Sequence, residues 1–291
     1  MLINEVSKIT GLTKKAIEYY VERELLSPKI LENGYRDFSG SQVEQLNKIS
    51  ILRKLGISTE EIKNVLSDES RSSLQTLSVQ KELNIQREQA KKSILDKLAS
   101  GKDYSEISLE LKMVEDSETI IEKLLEAFPG YYGRFICLHF ARFFNEPIRT
   151  NTQQLAYDKI ISFLDNIPSL NLPKDLQDYL IEGTKDIGVV QIKELIENTK
   201  KYIENPDDFL SNNGETIKQY LEYKQSDEYK NSPAHKIMLL MKDFNNVSGY
   251  YDVFIPALKE LSSSYDKYYK QLEIANEKLL NEYPDIEKFN D

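Results

Sequence analysis

Apolar residues recur every three to four positions along almost the whole chain, so nearly all of it must be helix. Residues 29–38 break that rule. Asn33-Gly34 is the strongest short hairpin signal, because both residues tolerate positive φ. Pro28, just before it, stops any incoming helix. The expected fold is mainly α with one small β-hairpin whose tip is Asn33-Gly34.

Start and stop signals divide the helical part. Asn4 is placed to cap a short helix that turns Val6 and Ile9 inward and closes at Gly11. Thr13 caps the next, with Ala16, Ile17, Tyr20 and Val21 on one stripe. Two short helices across a tight Thr-Gly-Leu turn make a helix-turn-helix. Ser39-Gly40-Ser41-Gln42 fits a capping box and opens a helix carrying Val43, Leu46, Ile49, Leu52 and Leu55, ended by Gly56. Ser58-Thr59-Glu60-Glu61 is a second box, before Ile62, Val65 and Leu66. Residues 68–73 are polar and linker-like. Residues 74–98 form a long polar helix with a thin stripe at Val79, Leu83, Ala90, Ile94 and Leu98. A stripe so narrow suits a two-helix seam between subunits, a dimerisation coiled coil. Gln86 and Lys97 at seam positions keep a solvated connector as the other reading.

With 291 residues, 40% apolar and 30% charged, the composition is that of a soluble globular chain, not a collagen-like, disulfide-rich or disordered one. No apolar run approaches the ~18 residues of a membrane span, and no secretory signal opens the chain. One cysteine, Cys137, excludes an internal disulfide framework, and with only His139 and His235 beside it a cytoplasmic protein without a structural zinc is the economical reading. The net charge of −10 is unevenly spread: residues 1–100 hold 16 Lys and Arg against 14 Asp and Glu, residues 101–291 hold 22 against 34. Affinity for DNA depends on which charges meet phosphate, so an acidic total leaves a local DNA-binding face open. The expected domains are 1–70, a dimerisation helix at 74–100, and an all-α region at 117–291, with a boundary across 101–117. Pro129, Pro147, Pro168, Pro173, Pro206, Pro233 and Pro256 punctuate that region, and one last helix is expected over 253–280. Residues 130–136 and 249–255 agree at five of seven positions, as a chance echo or an old duplication.

The first seventy residues carry Ile3-Asn4-Glu5-Val6, Thr10-Gly11-Leu12-Thr13, Tyr19-Tyr20, Leu25-Leu26-Ser27-Pro28, Asn33-Gly34-Tyr35-Arg36-Asp37-Phe38 and Leu52-Arg53-Lys54-Leu55-Gly56-Ile57-Ser58 followed by Glu61-Ile62. In that order and spacing they resemble the DNA-binding domain of the MerR family of bacterial transcription regulators. The physics agrees. A recognition helix opening at Thr13 presents Thr13, Lys14 and Lys15 to the major groove, and its N-terminus favours phosphate. Tyr19 offers a hydroxyl to the backbone, Arg23 a charge, and Tyr35-Arg36 a wing past the hairpin tip. Arg36 also has Asp37 beside it as an internal partner. Tyr20 belongs to the core. Glu18 stands where the family usually has arginine. Either it pairs with Lys14 one turn back or the docking differs. The resemblance implies a homodimer on a pseudo-palindromic operator in double-stranded promoter DNA, distorting an overlong spacer so that RNA polymerase engages both promoter elements.

Family members that sense metals or oxidants use several cysteines near the coiled-coil end, and this chain has none there. Cys137 and His139 are two apart on a helix, so they point to different faces. His235 is read as structural. Neither a metal site nor another cofactor is expected. The C-terminal part holds 15 of the 18 tyrosines and an acid excess, which suits a small organic effector, an aromatic cation above all. Residues 128–144 are the first candidate, with Phe128, Tyr131, Tyr132, Phe135, Tyr250 and Tyr251 as lining. Two other classes compete: an architectural, excisionase-like DNA-bending protein without an effector, and an enzyme. The enzyme finds no phosphate loop, zinc helix or nucleophile elbow in the sequence.

Overall fold

Capping side chains fix where the first helices begin. The computed structural model describes residues 1–68, 70–128, 130–168 and 170–289, without side-chain placement at 287–289; Pro129 lies outside the described residues. In α1 (Ile3–Thr10) the cap is Leu2, whose amide donates to the Glu5 carboxylate at 2.9 Å. Asn4 therefore lies inside the helix instead of capping it. Gly11, at φ +67, turns the chain into α2 (Lys14–Glu22), where the Thr13 hydroxyl accepts from the Ala16 amide. Both capping boxes are present. Ser39 and Gln42 open α3 (Gly40–Lys54), and Ser58 and Glu61 open α4 (Thr59–Ser67). Strands β1 (Lys29–Ile30) and β2 (Arg36–Asp37) pair antiparallel, Lys29 against Asp37 and Ile30 against Arg36. Between them Gly34 takes φ +81, and Asn33 Oδ1 accepts from the Tyr35 amide at 3.1 Å. Val6, Ile17, Tyr20, Phe38, Leu46, Ile49 and Ile62 are buried. Leu55, expected on that stripe, is 61% exposed because α3 ends at Lys54, one residue short of it.

The chain separates into two compact units, Met1–Leu74 and Gln75–Asp291. The second holds α5 (Ser72–Ala99) from Gln75 onward, which turns at Gly101 into α6 (Tyr104–Ala127), capped by Asp103. The expected boundary at 101–117 is thus mostly helix, because Ile107 and Val114 recur at helical spacing and bury against Ile94. The stripe on α5 is filled by its own chain. Val79 and Leu83 sit in the main core with Leu124, Phe128, Ile136 and Phe140, while Ala90 and Leu98 lean on the Ile94 cluster. The seam expected between subunits is therefore an intrachain seam, since α6 folds back along it. Arg87–Glu118 and Lys97–Glu110 ion pairs lie beside it.

Beyond α6 come α7 (Gly130–Ala141), α8 (Asn151–Asn166), α9 (Lys174–Thr184), α10 (Val189–Glu204), α11 (Pro206–Gln225), α12 (Asp227–Lys230) and α13 (Pro233–Ser248). A π-helical turn (Tyr250–Phe254), α14 (Ile255–Leu261), α15 (Ser263–Glu282) and a 3₁₀ turn (Pro284–Phe289) follow. The single last helix expected over 253–280 starts in the π turn, continues as α14 with Pro256 in its first turn, and is broken at Ser262, which is extended at φ −121, ψ 115. The two echoing heptapeptides also differ in backbone, one opening α7 and the other forming the π turn. Among the described residues, no helix is long and apolar enough to cross a membrane.

Glu146 bridges the break at Ser262. Its carboxylate accepts from the Ser264 amide at 2.8 Å and from the Ser263 hydroxyl at 2.6 Å, capping α15 from 117 residues away. Partial burial opposes ionisation, but the hydrogen bonds from Ser263 and Ser264 outweigh it and hold the carboxyl at about 2. A carboxyl lowered in the folded state stabilises it fully above its unfolded pKa, near 4.5, and loses that contribution as pH falls toward 2. Glu146→Gln is expected to cost about 1 kcal/mol at pH 7, read by thermal melting. The gap between wild type and variant closes as the pH is lowered from 5 to 2.

Candidate functional site

The N-terminal unit holds α2 and the hairpin in place with side-chain clamps on bare backbone. Residues 25–27 leave α2 without regular structure. Gln45 donates to the Leu25 carbonyl at 2.7 Å and Gln42 to the Ser27 carbonyl at 2.8 Å, so α3 grips the segment leading to the hairpin. On the other side Phe38 donates its amide to the Met1 carbonyl at 2.9 Å, and Leu2 bridges to Asp37. None of these clamps is among the sequence-derived site residues.

Thr13 spends its hydroxyl on the cap, while Lys14 and Lys15 stand exposed in the first turn of α2. The amides of that turn face the same end, so an anion there meets both the helix dipole and two ammonium groups. Tyr19 and Arg23 are brought together, the guanidinium lying 5.3 Å from the ring centroid. Hydrogen bonding from Thr59, then from Arg23, lowers the Tyr19 phenol below its usual range. Arg53, beside it, donates to the Ile57 carbonyl at 2.7 Å. Thr59 and Arg53 thus belong to this surface. Arg53 stood in the motif run without an assigned role, and Thr59 gave no signal beyond following a capping serine. Tyr35 is 61% exposed on the wing. Asp37, the internal partner considered for Arg36, instead accepts from the Met1 amine at 2.5 Å. Among the described residues Arg36 has no ion pair, and Lys14 and Glu18 do not pair; Glu18 is exposed to solvent.

Of the aromatic candidates in the second unit, Phe128 is buried, Tyr131, Tyr132, Phe135 and Tyr250 are half-buried against neighbours, and Tyr251 is exposed. Phe128 is 3% exposed and meets Tyr132 and Phe244 edge-on at 5.9 and 6.1 Å. Tyr131 and Phe135 are 6.5 Å apart, and Tyr250 stacks on Phe254 at 5.6 Å. Tyr251 alone among the six is exposed, at 52%. Phe128 is therefore core and not lining, because its edge contacts are met by neighbouring rings. Two surface clefts on this unit use none of the six. One, of about 320 Å³, has Glu204, Asp207 and Asp208 at its wall, and one of about 520 Å³ lies along α8. Cys137 is fully buried, and burial raises its thiol pKa. His139 sits among Phe135, Phe143 and Tyr268, where burial and then Arg142 hold its imidazole at about 3, hence neutral. His235 stacks on Tyr229 and meets the Lys230 carbonyl at 3.1 Å, a structural role. Among the described residues, no group of three His, Cys, Asp or Glu could hold a metal. Arg134, 2% exposed on α7, was not foreseen: it donates to Gln75 Oε1 at 2.7 Å, and Gln75 donates to the Lys185 carbonyl at 2.7 Å. It ties the start of α5 to the end of α9.

Residues 1–69 match the family described as MerR HTH family regulatory protein. Curated relatives include the HTH-type transcriptional regulator CueR of Yersinia pestis, 37% identical over 68 residues, 23% of this chain and 49% of the relative. The protein of that name from Escherichia coli O157:H7 is 39% identical over 77 residues, 25% of this chain and 57% of the relative. Heavy metal-dependent transcription regulator 2 of Rhizobium meliloti is 39% identical over 77 residues, 25% of this chain and 52% of the relative. The chain spans about half the length of the curated relatives it matches. No solved structure matches it significantly. The order of the elements, the capped α2, the hairpin wing and the match together identify residues 1–69 as a MerR-family helix-turn-helix domain.

Proposed function

We propose that the chain is a transcriptional regulator that binds a pseudo-palindromic promoter operator in double-stranded DNA as a homodimer, in the cytoplasm, and distorts the spacer in response to a small organic effector. The observation that carries the reading is a pair of cationic features on the first unit, the head of α2 with exposed Lys14 and Lys15 and the wing with half-buried Arg36. The helix enters the major groove and the wing grips backbone. Contacts in two half-sites offset the cost of deforming the duplex between them, and the deformed spacer lets RNA polymerase engage both promoter elements.

The effector reading rests on the second unit. The heavy metal in one relative's name belongs to a protein that this chain matches only over 77 residues. The C-terminal unit lies beyond that stretch. Its one thiol is buried among apolar side chains. That chemistry favours an organic ligand over a thiolate-bound ion.

With the Val79–Leu83–Ile94 face of α5 committed to its own chain, the second copy pairs on the opposite face, where Ile85 and Leu95 are 53% and 63% exposed. Replacing both by Glu is expected to convert a dimer to monomer in sedimentation without lowering the melting temperature. A dimer that survives the double change contradicts this pairing. Arg36→Ala is expected to weaken binding to every duplex and to reduce the slope of log affinity against log salt by about one, measured by titration at several salt concentrations. In transcription with purified polymerase on a bound promoter, the full chain changes transcript yield. Bending without any change in transcript favours an architectural role instead.

A further inference from the structure

The cleft along α8 was assigned no role by the sequence. It is about 520 Å³ in volume, within the range of small-molecule sites. Its apolar wall is built from Leu155, Phe163, Ile167 and Val253, with Asp158 and Lys159 at the rim. Leu155 is 61% and Val253 40% exposed, so two large aliphatic side chains of the lining are left in water.

The far wall is the π-helical turn. Gly249, at φ +86, ends α13, and both the Val253 and the Phe254 amides then donate to its carbonyl, at 2.8 and 3.2 Å. The wide turn directs Val253 toward the cleft and Phe254 into the core. Interruptions of this kind are frequent at functional sites, where they re-aim side chains at the expense of regular helix. Phe163, at the floor, is 5.2 Å from Phe254, so an occupant rests on the aromatic core itself.

Four of the five polar side chains lining the cleft already have partners. Asp158 accepts from Gln154 at 3.0 Å, Asn166 donates to the Ser162 carbonyl at 2.7 Å, Ser248 accepts from the Tyr250 amide at 3.3 Å, and Lys159 faces Glu260 at 3.8 Å. The rim holds one acid and one base, with no imidazole or thiol. Such a lining offers apolar contact and little call for charge.

We infer that this cleft binds a neutral, largely apolar small molecule, and that this molecule is the effector; its role as effector rests on the regulator reading above. The neutral dye N-phenyl-1-naphthylamine tests the site on the full chain, with its anionic relative 8-anilinonaphthalene-1-sulfonate for comparison. Wild type is expected to brighten the neutral dye more than the anionic one. Leu155→Glu and Val253→Glu, both at exposed positions, each weaken neutral-dye binding at least tenfold with the melting temperature unchanged. Leu195→Glu, 48% exposed on α10, leaves it intact. Full-strength binding by both cleft variants, equal loss in Leu195→Glu, or preference for the anionic dye overturns the inference. A wild-type chain that binds the dye in the cleft but no duplex upholds the site and sinks only the regulator reading.

Discussion

The carbonyls of Leu25 and Ser27 have no helix or strand to receive them, and the amides of Gln45 and Gln42 fill that need. A unit of some seventy residues buries too little apolar surface to hold an irregular segment by packing alone. Hydrogen bonds from rigid helix to bare backbone take over. Because α3 is itself fixed by its capping box and by Leu46 and Ile49 at its buried face, the clamp transmits that rigidity to the hairpin. The wing keeps its place for that reason, and with it the presentation of Arg36. The Thr13 cap gives the head of α2 the same definition.

Much of this unit was legible in the sequence because its signals are local. Ser39 with Gln42 and Ser58 with Glu61 each reveal a helix start within four residues, and Asn33-Gly34 reveals a turn within two. The Asn4 reading failed for a local reason too: Glu5 reaches back to the Leu2 amide, an arrangement that needs no polar cap residue. Thr59 beside Tyr19, and Gln45 beneath Leu25, could not be read, since each contact spans at least twenty residues.

The second unit shows the limits more sharply. A narrow apolar stripe on α5 has the same spacing whether its partner is another copy or the next helix of the same chain. Gly101, with Asp103 after it, was the available sign that α6 folds back on α5. Dense aromatic sequence in α7 suggested a pocket, yet Phe128, Phe140 and Phe254 pack edge to face against neighbouring rings. Burial consumes the same residue types that ligand sites use. The π turn and the cleft beside it follow from Gly249 and Pro256 acting seven residues apart, with Phe163 supplied by a distant helix.

The proposed regulatory role depends on the first unit reading duplex DNA while joined to the second. Selection of fragments from the host's own genome by the full chain, followed by sequencing, tests it most directly. Enrichment of promoter fragments that share an inverted repeat, with both half-sites on one face of the duplex, is expected. A bound pool indistinguishable from the input DNA would contradict it.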